Sequence, residues 1–199
     1  MSRFDQPNEE TASPPVIRPC SAHDFDAMLA VVNAAARAYG GVIPADCYGE
    51  PYMPAAELRG EIAAGVRFWA SFEADAMVGI MGIQDVDDMT LIRHAYVRPD
   101  RQRKGVGSRL LQHLLPLTMK VPLVGTWADA WWAISFYERH GFSLVAPAEK
   151  DQLLRRYWTI SERQVETSVV LRAGPSAWAG GRGRVHVTAT SAASCDSAP

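Results

Sequence analysis

The sequence predicts one α+β (mixed α/β) domain built on a central, mostly antiparallel sheet of about seven strands. Three observations predict it. Strand-like and helix-like apolar periods alternate across residues 15–172. Three strand runs, 67–73, 77–85 and 89–97, follow one another with only short polar spacers, which is the pattern of antiparallel hairpins. One passage runs strand, helix, strand (89–97, 105–115, 121–127), and a strand returning through a helix requires a right-handed parallel crossover.

The elements follow in order. Val16-Ile17-Arg18-Pro19 is a short first strand. Ser21 and Asp24 stand at capping-box spacing, and Phe25, Met28, Leu29, Val32, Ala36 and Tyr39 continue at helical spacing until Gly40-Gly41. Pro54 occupies a first-turn position and opens a second helix that stops at Gly65. After the three hairpin strands, two glycines lead into a helix carrying Leu110, Leu111, Leu114 and Leu115, closed by Pro116. Residues 121–127 read as strand, 130–140 as a helix stopped by Gly141, 142–146 as strand, 149–158 as helix and 164–171 as a last strand. The order is β-α-α-β-β-β-α-β-α-β-(α)-β.

The two ends differ from this middle. Residues 1–14 are polar and read as a disordered lead-in, and residues 173–199, rich in Ala, Gly and Ser, read as a flexible low-complexity tail. The chain has 199 residues, 48% apolar and 21% charged, so one domain with a real core accounts for the length. Twenty Lys+Arg against 22 Asp+Glu give a net charge of −2, which argues against a nucleic-acid or anionic-membrane partner. No membrane-length apolar run and no signal-peptide pattern occur, and Cys20, Cys47 and Cys195 have no paired spacing, so a reducing, cytoplasmic location is expected.

The segment from Val97 to Ser108 carries the first chemical signal. A strand end, a turn, Gly105 and Gly107 and a helix start gather unsatisfied backbone N–H groups at the positive end of a helix dipole, which suits a phosphate. Arg93, Arg98, Arg101, Arg103, Lys104 and Arg109 concentrate cations there on an otherwise acidic chain. Lys104 precedes the glycines, so this is not a Walker loop, and the third glycine and distant acid of a dinucleotide fingerprint are absent. No paired metal-ligand spacing occurs, and no metal is expected.

A second signal settles between anionic ligands. Gln102-x-x-Gly105-x-Gly107 followed by Ala133-x-x-Phe136-Tyr137-x-x-x-Gly141-Phe142 resembles the GNAT superfamily of acetyl-CoA-dependent N-acetyltransferases, over about residues 16–171. The resemblance implies helices on both faces of the sheet and a splayed parallel pair, 89–97 and 121–127. It implies acetyl-CoA as co-substrate, with pyrophosphate on the loop of Gln102, Arg103, Lys104, Gly105, Val106, Gly107 and Ser108. Pantetheine is then expected along Ala95, Tyr96 and Val97, the Val97 N–H polarising the acetyl carbonyl. It also implies direct transfer to a primary amine of a small molecule in a ternary complex, with Tyr137 as the acid that protonates the thiolate. A protein or peptide acceptor, or a non-catalytic CoA-binding module, are the alternatives, and a homodimer fits the family. Ala130 departs from the Asn often found there, which leaves the local pantetheine contact open.

The family shares no one general base. His94, two residues from Tyr96 on the same strand face, is the leading candidate, and Asp85, Glu50 and Glu162 are the others. The acceptor pocket is expected between the first two helices, their loop and the last strands, with Tyr48, Glu50 and Glu162 as substrate residues and several tryptophans as its walls.

Overall fold

The computed structural model describes residues 15–178. A seven-stranded sheet has the order β1-β2-β3-β4-β5-β7-β6. Its strands are β1 (Val16–Pro19), β2 (Arg67–Glu73), β3 (Ala76–Val86), β4 (Met89–Val97), β5 (Val121–Trp127), β6 (Phe142–Leu144) and β7 (Ser168–Ala173). Every neighbouring pair is antiparallel except β4–β5, which is parallel. This is the mixed, mostly antiparallel sheet the strand signals predict, with the one crossover made by a helix between β4 and β5.

Alternation along the strands divides the core into two faces. Phe68, Ala70 and Ile80 point to the helices α1 (Phe25–Ala36) and α2 (Ala55–Ala63), while Leu91, Leu123 and Val170 meet α5 (Pro147–Tyr157). Trp69, Met81, Ile83, Ile92, Val124 and Leu171 instead meet α3 (Val106–Leu114) and α4 (Trp131–Arg139). Gly79 makes the seating of α3 possible, since a Cβ there would lie 2.7 Å from Val106 Cγ1. Among the described residues, no helix is long and apolar enough to cross a membrane.

The first helix begins where the capping signal places it. Asp24, buried, takes the Ser21 N–H at 2.7 Å and the Arg18 guanidinium at 2.8 Å through each oxygen. Two expectations shift. The last strand was expected from 164, but Glu162–Thr167 is a helix, α6, and β7 starts at Ser168. Ser161 caps α6 by accepting the Gln164 N–H while Gln164 Oε1 accepts the Ser161 N–H, so a capping box starts a helix where the strand was expected to start. The flexible tail was expected from 173, but Ala173 closes β7, and Trp178 packs against the core and donates to the Thr118 carbonyl at 3.2 Å. Residues 179–199, like the lead-in 1–14, lie outside the described residues.

Candidate active site

The site forms where the parallel pair comes apart. β4 and β5 pair from Met89↔Val121 to Ile92↔Val124 and no further, although β4 runs on to Val97 and β5 to Trp127. Past that point β4 keeps to β3 (Ile80↔Tyr96, Gly79↔Val97), and β5 keeps to β7. The Arg98 N–H donates to the Val78 carbonyl at 2.9 Å, so hydrogen-bonded positions fall at 98 and 96. By antiparallel alternation the N–H and C=O of Val97 then face the gap. Gln102 reaches across the turn, its Nε2 donating to the Val97 carbonyl at 3.2 Å.

The loop after β4 ends at Gly105, the N-cap of α3, at φ +77°. Arg103 is also left-handed, at φ +60°. Within the described residues, the N–H groups of 103–108 meet no acceptor at ordinary hydrogen-bond geometry. A concave row of free amides at a helix N-terminus is an anion cradle. The cation cluster sorts itself around it. Arg101 pairs with Glu73 at 2.8 Å, Arg98 with Asp100 at 3.1 Å and Arg93 with Glu61 at 2.7 Å. Arg103, Lys104 and Arg109 have no carboxylate partner among the described residues, and Arg109 Nη1 braces the loop by donating to the Lys104 carbonyl at 3.0 Å. The unbalanced positive charge therefore sits at the cradle. Gly107 lies under α4, its absent Cβ 3.4 Å from the Phe136 ring.

On α4, Tyr137 is 4% exposed, its ring 5.0 Å from Phe136 and 5.4 Å from Phe142 between centroids. Its hydroxyl has no protein hydrogen-bond partner among the described residues. Burial, with a smaller contribution from Tyr39, pushes the phenol well above its ordinary range, so it keeps its proton at any working pH. Ala130, the N-cap of α4, is fully buried against Ile43 and Trp127, so that position offers a ligand no polar side chain.

The opposite side of the sheet holds a cleft of about 400 Å³ between α2, β4, β5 and the loops before α2 and α6. Tyr39, Tyr52 and Tyr96 form a ring cluster in it, with centroids 5.5 to 6.5 Å apart, and the Trp127 indole donates to the Tyr52 hydroxyl at 3.3 Å. Burial raises all three phenols. The polar floor is His94, Arg93 and Glu61, with Glu57 one helical turn earlier.

A β-bulge builds that floor. Ile80 faces Tyr96 but Gly82 faces Arg93, so β4 carries one extra residue, and His94 adopts φ +50°. Strict alternation from Val97 would send Arg93 to the α3 face; the extra residue turns both Arg93 and His94 toward α2. His94 thus lines the cleft. Tyr48, Glu50 and Glu162 do not. Tyr48 stands behind Tyr52 at 6.0 Å, Glu50 is exposed, and Glu162 is held at 2.7 Å by Arg155 at the surface. Asp85 accepts from the Thr90 hydroxyl at 2.6 Å, away from the cleft. Of the tryptophans, Trp127 and Trp158 border the cleft, whereas Trp69 fills core and Trp131 is 70% exposed. The sequence reading passed over Glu57 and Glu61; their only signal is an i,i+4 carboxylate pair on a short helix.

Residues 64–144 match the family model described as an acetyltransferase (GNAT) domain. No curated protein matches by sequence. Among solved structures, the PaiA N-acetyltransferase of Thermoplasma acidophilum in complex with coenzyme A is 15% identical, with a TM-score of 0.62 over 81% of this chain and 99% of that one. The ribosomal-protein-S18-alanine N-acetyltransferase of Escherichia coli is 16% identical, with a TM-score of 0.57 over 80% and 92%. YncA of Salmonella typhimurium, with its cofactor acetyl-CoA, is 20% identical, with a TM-score of 0.53 over 67% and 82%. At these identities the likeness is one of fold.

Proposed function

Because the chain carries a GNAT acetyltransferase domain, we propose that it transfers the acetyl group of acetyl-CoA to a primary amine of a small molecule, by direct attack in a ternary complex. The observation that carries this reading is the parting of β4 from β5 that leaves the Val97 backbone open, followed directly by the amide cradle with unbalanced Arg103, Lys104 and Arg109; the buried, partnerless Tyr137 hydroxyl supports it. Two of the neighbouring structures hold coenzyme A or acetyl-CoA on the same fold.

When bound, acetyl-CoA supplies the activated acyl group. The amides of 103–108 and the three free cations hold its pyrophosphate. The exposed edge of Ala95, Tyr96 and Val97 takes the pantetheine arm as an added strand. The Val97 N–H stabilises the negative charge that grows on the acetyl oxygen, and Tyr137 gives its proton to the departing sulfur. The amine enters from the tyrosine-lined cleft, whose volume suits a small molecule. His94, on its floor, takes the amine proton, which must leave before the nitrogen lone pair can attack. The transferase domain spans Val16 to Ala173.

The test is thiol release from acetyl-CoA against pooled amines: amino acids, polyamines, aminoglycosides, arylalkylamines and short peptides. Saturable turnover with a small-molecule pool is the expected result. Turnover with peptides alone moves the acceptor to protein termini or side chains, and coenzyme A binding without turnover makes the domain a CoA-binding module.

A further inference from the structure

The cleft floor holds His94 in a close pair with Glu61, a residue the scheme above does not use. Glu61 Oε2 and His94 Nε2 are 3.1 Å apart, with side chains 19% and 13% exposed. Both atoms are sealed from solvent; Glu61 Oε2 also lies 2.7 Å from Arg93 Nη2, and His94 Nε2 has no other partner among the described residues. Two buried polar atoms this near each other, neither exposed to water, call for a proton between them.

The surrounding structure invests in this contact. A left-handed φ at a histidine is a sparsely populated conformation that persists only where neighbours impose it. Those neighbours are identifiable. The Phe68 ring lies 5.7 Å from the imidazole. Arg93 Nη2 donates to Glu61 Oε1 at 2.8 Å, its Nη1 donates to Gln84 Oε1 at 2.7 Å, and Gln84 Nε2 donates to the Ala64 carbonyl at 2.9 Å. This chain of bonds ties β3, β4 and the end of α2 together and fixes the Glu61 carboxylate beside the ring. Burial pushes the Glu61 carboxyl up, but the imidazole and the Arg93 guanidinium outweigh it and hold it below its ordinary value, as an anion. The other ionisable groups lining the cleft are Glu57 on α2, the Cys47 thiol and the phenols of Tyr39, Tyr52 and Tyr96.

We propose that Glu61 is a positioning residue: it holds the His94 imidazole with Nε2–H toward α2, so that the Nδ1 lone pair faces the cleft and takes the proton of the acceptor amine, directly or through one water. The balance closes without further reactants. One N–H bond of the ammonium breaks and an Nδ1–H bond forms; the freed pair makes the C–N bond to the acetyl carbon, the C–S bond breaks as Tyr137 protonates the sulfur, the second amine proton restores the Tyr137 phenol by way of solvent, and His94 returns its own proton to solvent. This role rests on the reading of His94 as base, and the tests separate the two.

The tautomer is read by ¹⁵N NMR of the full chain with labelled histidine, the His94 signals being assigned by their loss in His94→Gln. The wild type is expected to show Nε2–H with an unprotonated Nδ1. Glu61→Ala is expected to mix the tautomers, and Glu61→Gln, whose amide oxygen still accepts from Nε2–H, to restore the single form. An Nδ1–H tautomer in the wild type, or an unchanged tautomer in Glu61→Ala, overturns the proposal without any acceptor being known. With the acceptor found in the amine panel, Glu61→Ala is expected to lower kcat roughly 10–100-fold at unchanged KM for acetyl-CoA, with Glu61→Gln recovering most of the loss. Wild-type turnover in His94→Gln removes the base, and this role with it. Loss in His94→Gln with Glu61→Ala at wild-type kcat overturns the inference alone.

Discussion

Replacing Tyr137 by Phe removes one oxygen atom, that of the proposed acid, and little else. The ring contacts with Phe136 and Phe142, at 5.0 and 5.4 Å, remain available to a phenylalanine. The hydroxyl has no protein partner to orphan, so the change in stability is expected to stay within about 1 kcal/mol. The chemical loss is much larger. A buried phenol raised above its ordinary range is fully protonated between pH 6 and 9, so in the wild type the proton is always present to be given to the leaving thiolate. Losing a general acid lowers kcat by roughly 10²–10⁴, equivalent to about 2.7–5.5 kcal/mol of transition-state stabilisation. The assay is thiol release at saturating acetyl-CoA, paired with calorimetric titration of coenzyme A and a thermal melt. The expected pattern is a collapsed kcat with Kd for coenzyme A within about threefold of wild type and an unchanged Tm. Wild-type kcat in Tyr137→Phe refutes the assignment, because no neighbouring acid occupies that position on α4.

Three other perturbations test the loop and the fold. Gly107→Glu places a carboxylate at the amide cradle, and like-charge repulsion with a pyrophosphate is expected to weaken coenzyme A binding by at least ~100-fold; retained affinity in calorimetry moves the phosphate elsewhere. Gly105→Ala forces a side chain into φ +77° with Arg109 Nη1 at 3.1 Å from the new Cβ, a movable tip, so backbone strain dominates the cost. The expected loss is about 1–2 kcal/mol, seen as a Tm lowered by roughly 3–6 °C, and Asn at 105 should recover part of it. Asp24→Asn removes the carboxylate that Arg18 and Ser21 hold far below its ordinary value. A depressed folded-state value contributes stability above the unfolded-state value near ~4, and that contribution drains away as pH falls toward the folded one. The variant should therefore be less stable by roughly 2–3 kcal/mol at pH 7 in urea unfolding, and the gap should narrow below about pH 4. A gap that does not change with pH would show that the Arg18–Asp24 pair contributes through shape rather than charge.

The legible parts of this protein are those written in contiguous residues. The helix start at Ser21–Asp24, the hairpins of β2, β3 and β4, and the loop into α3 each depend on neighbours a few positions away, so period, caps and turn glycines suffice. α6 marks the edge of that reach: Ser161 and Gln164 stand at capping-box spacing, but the apolar run Val169-Val170-Leu171 that follows is a strand, and the two lie too close together for their boundary to be read from the sequence. The acceptor side was legible only as a location. Tyr48, Glu50 and Glu162 lie in the segments expected to border the pocket, yet none lines it.

By itself the sequence determined the element order up to α5, the single crossover, the glycine-marked turn into α3 and the motif that places Tyr137 on α4. It also set the cation excess around that loop, though not which cations stay free. That was decided by pairs such as Arg101 with Glu73, where residues distant in the chain meet across a folded sheet. Tertiary structure alone decided the floor of the cleft. A β-bulge is a mismatch between two strands, so no window along β4 contains it, and only against β3 do Arg93 and His94 both turn toward α2 and meet Glu61. Local periodicity carries which face a residue prefers; which partner stands opposite is a property of the assembled sheet.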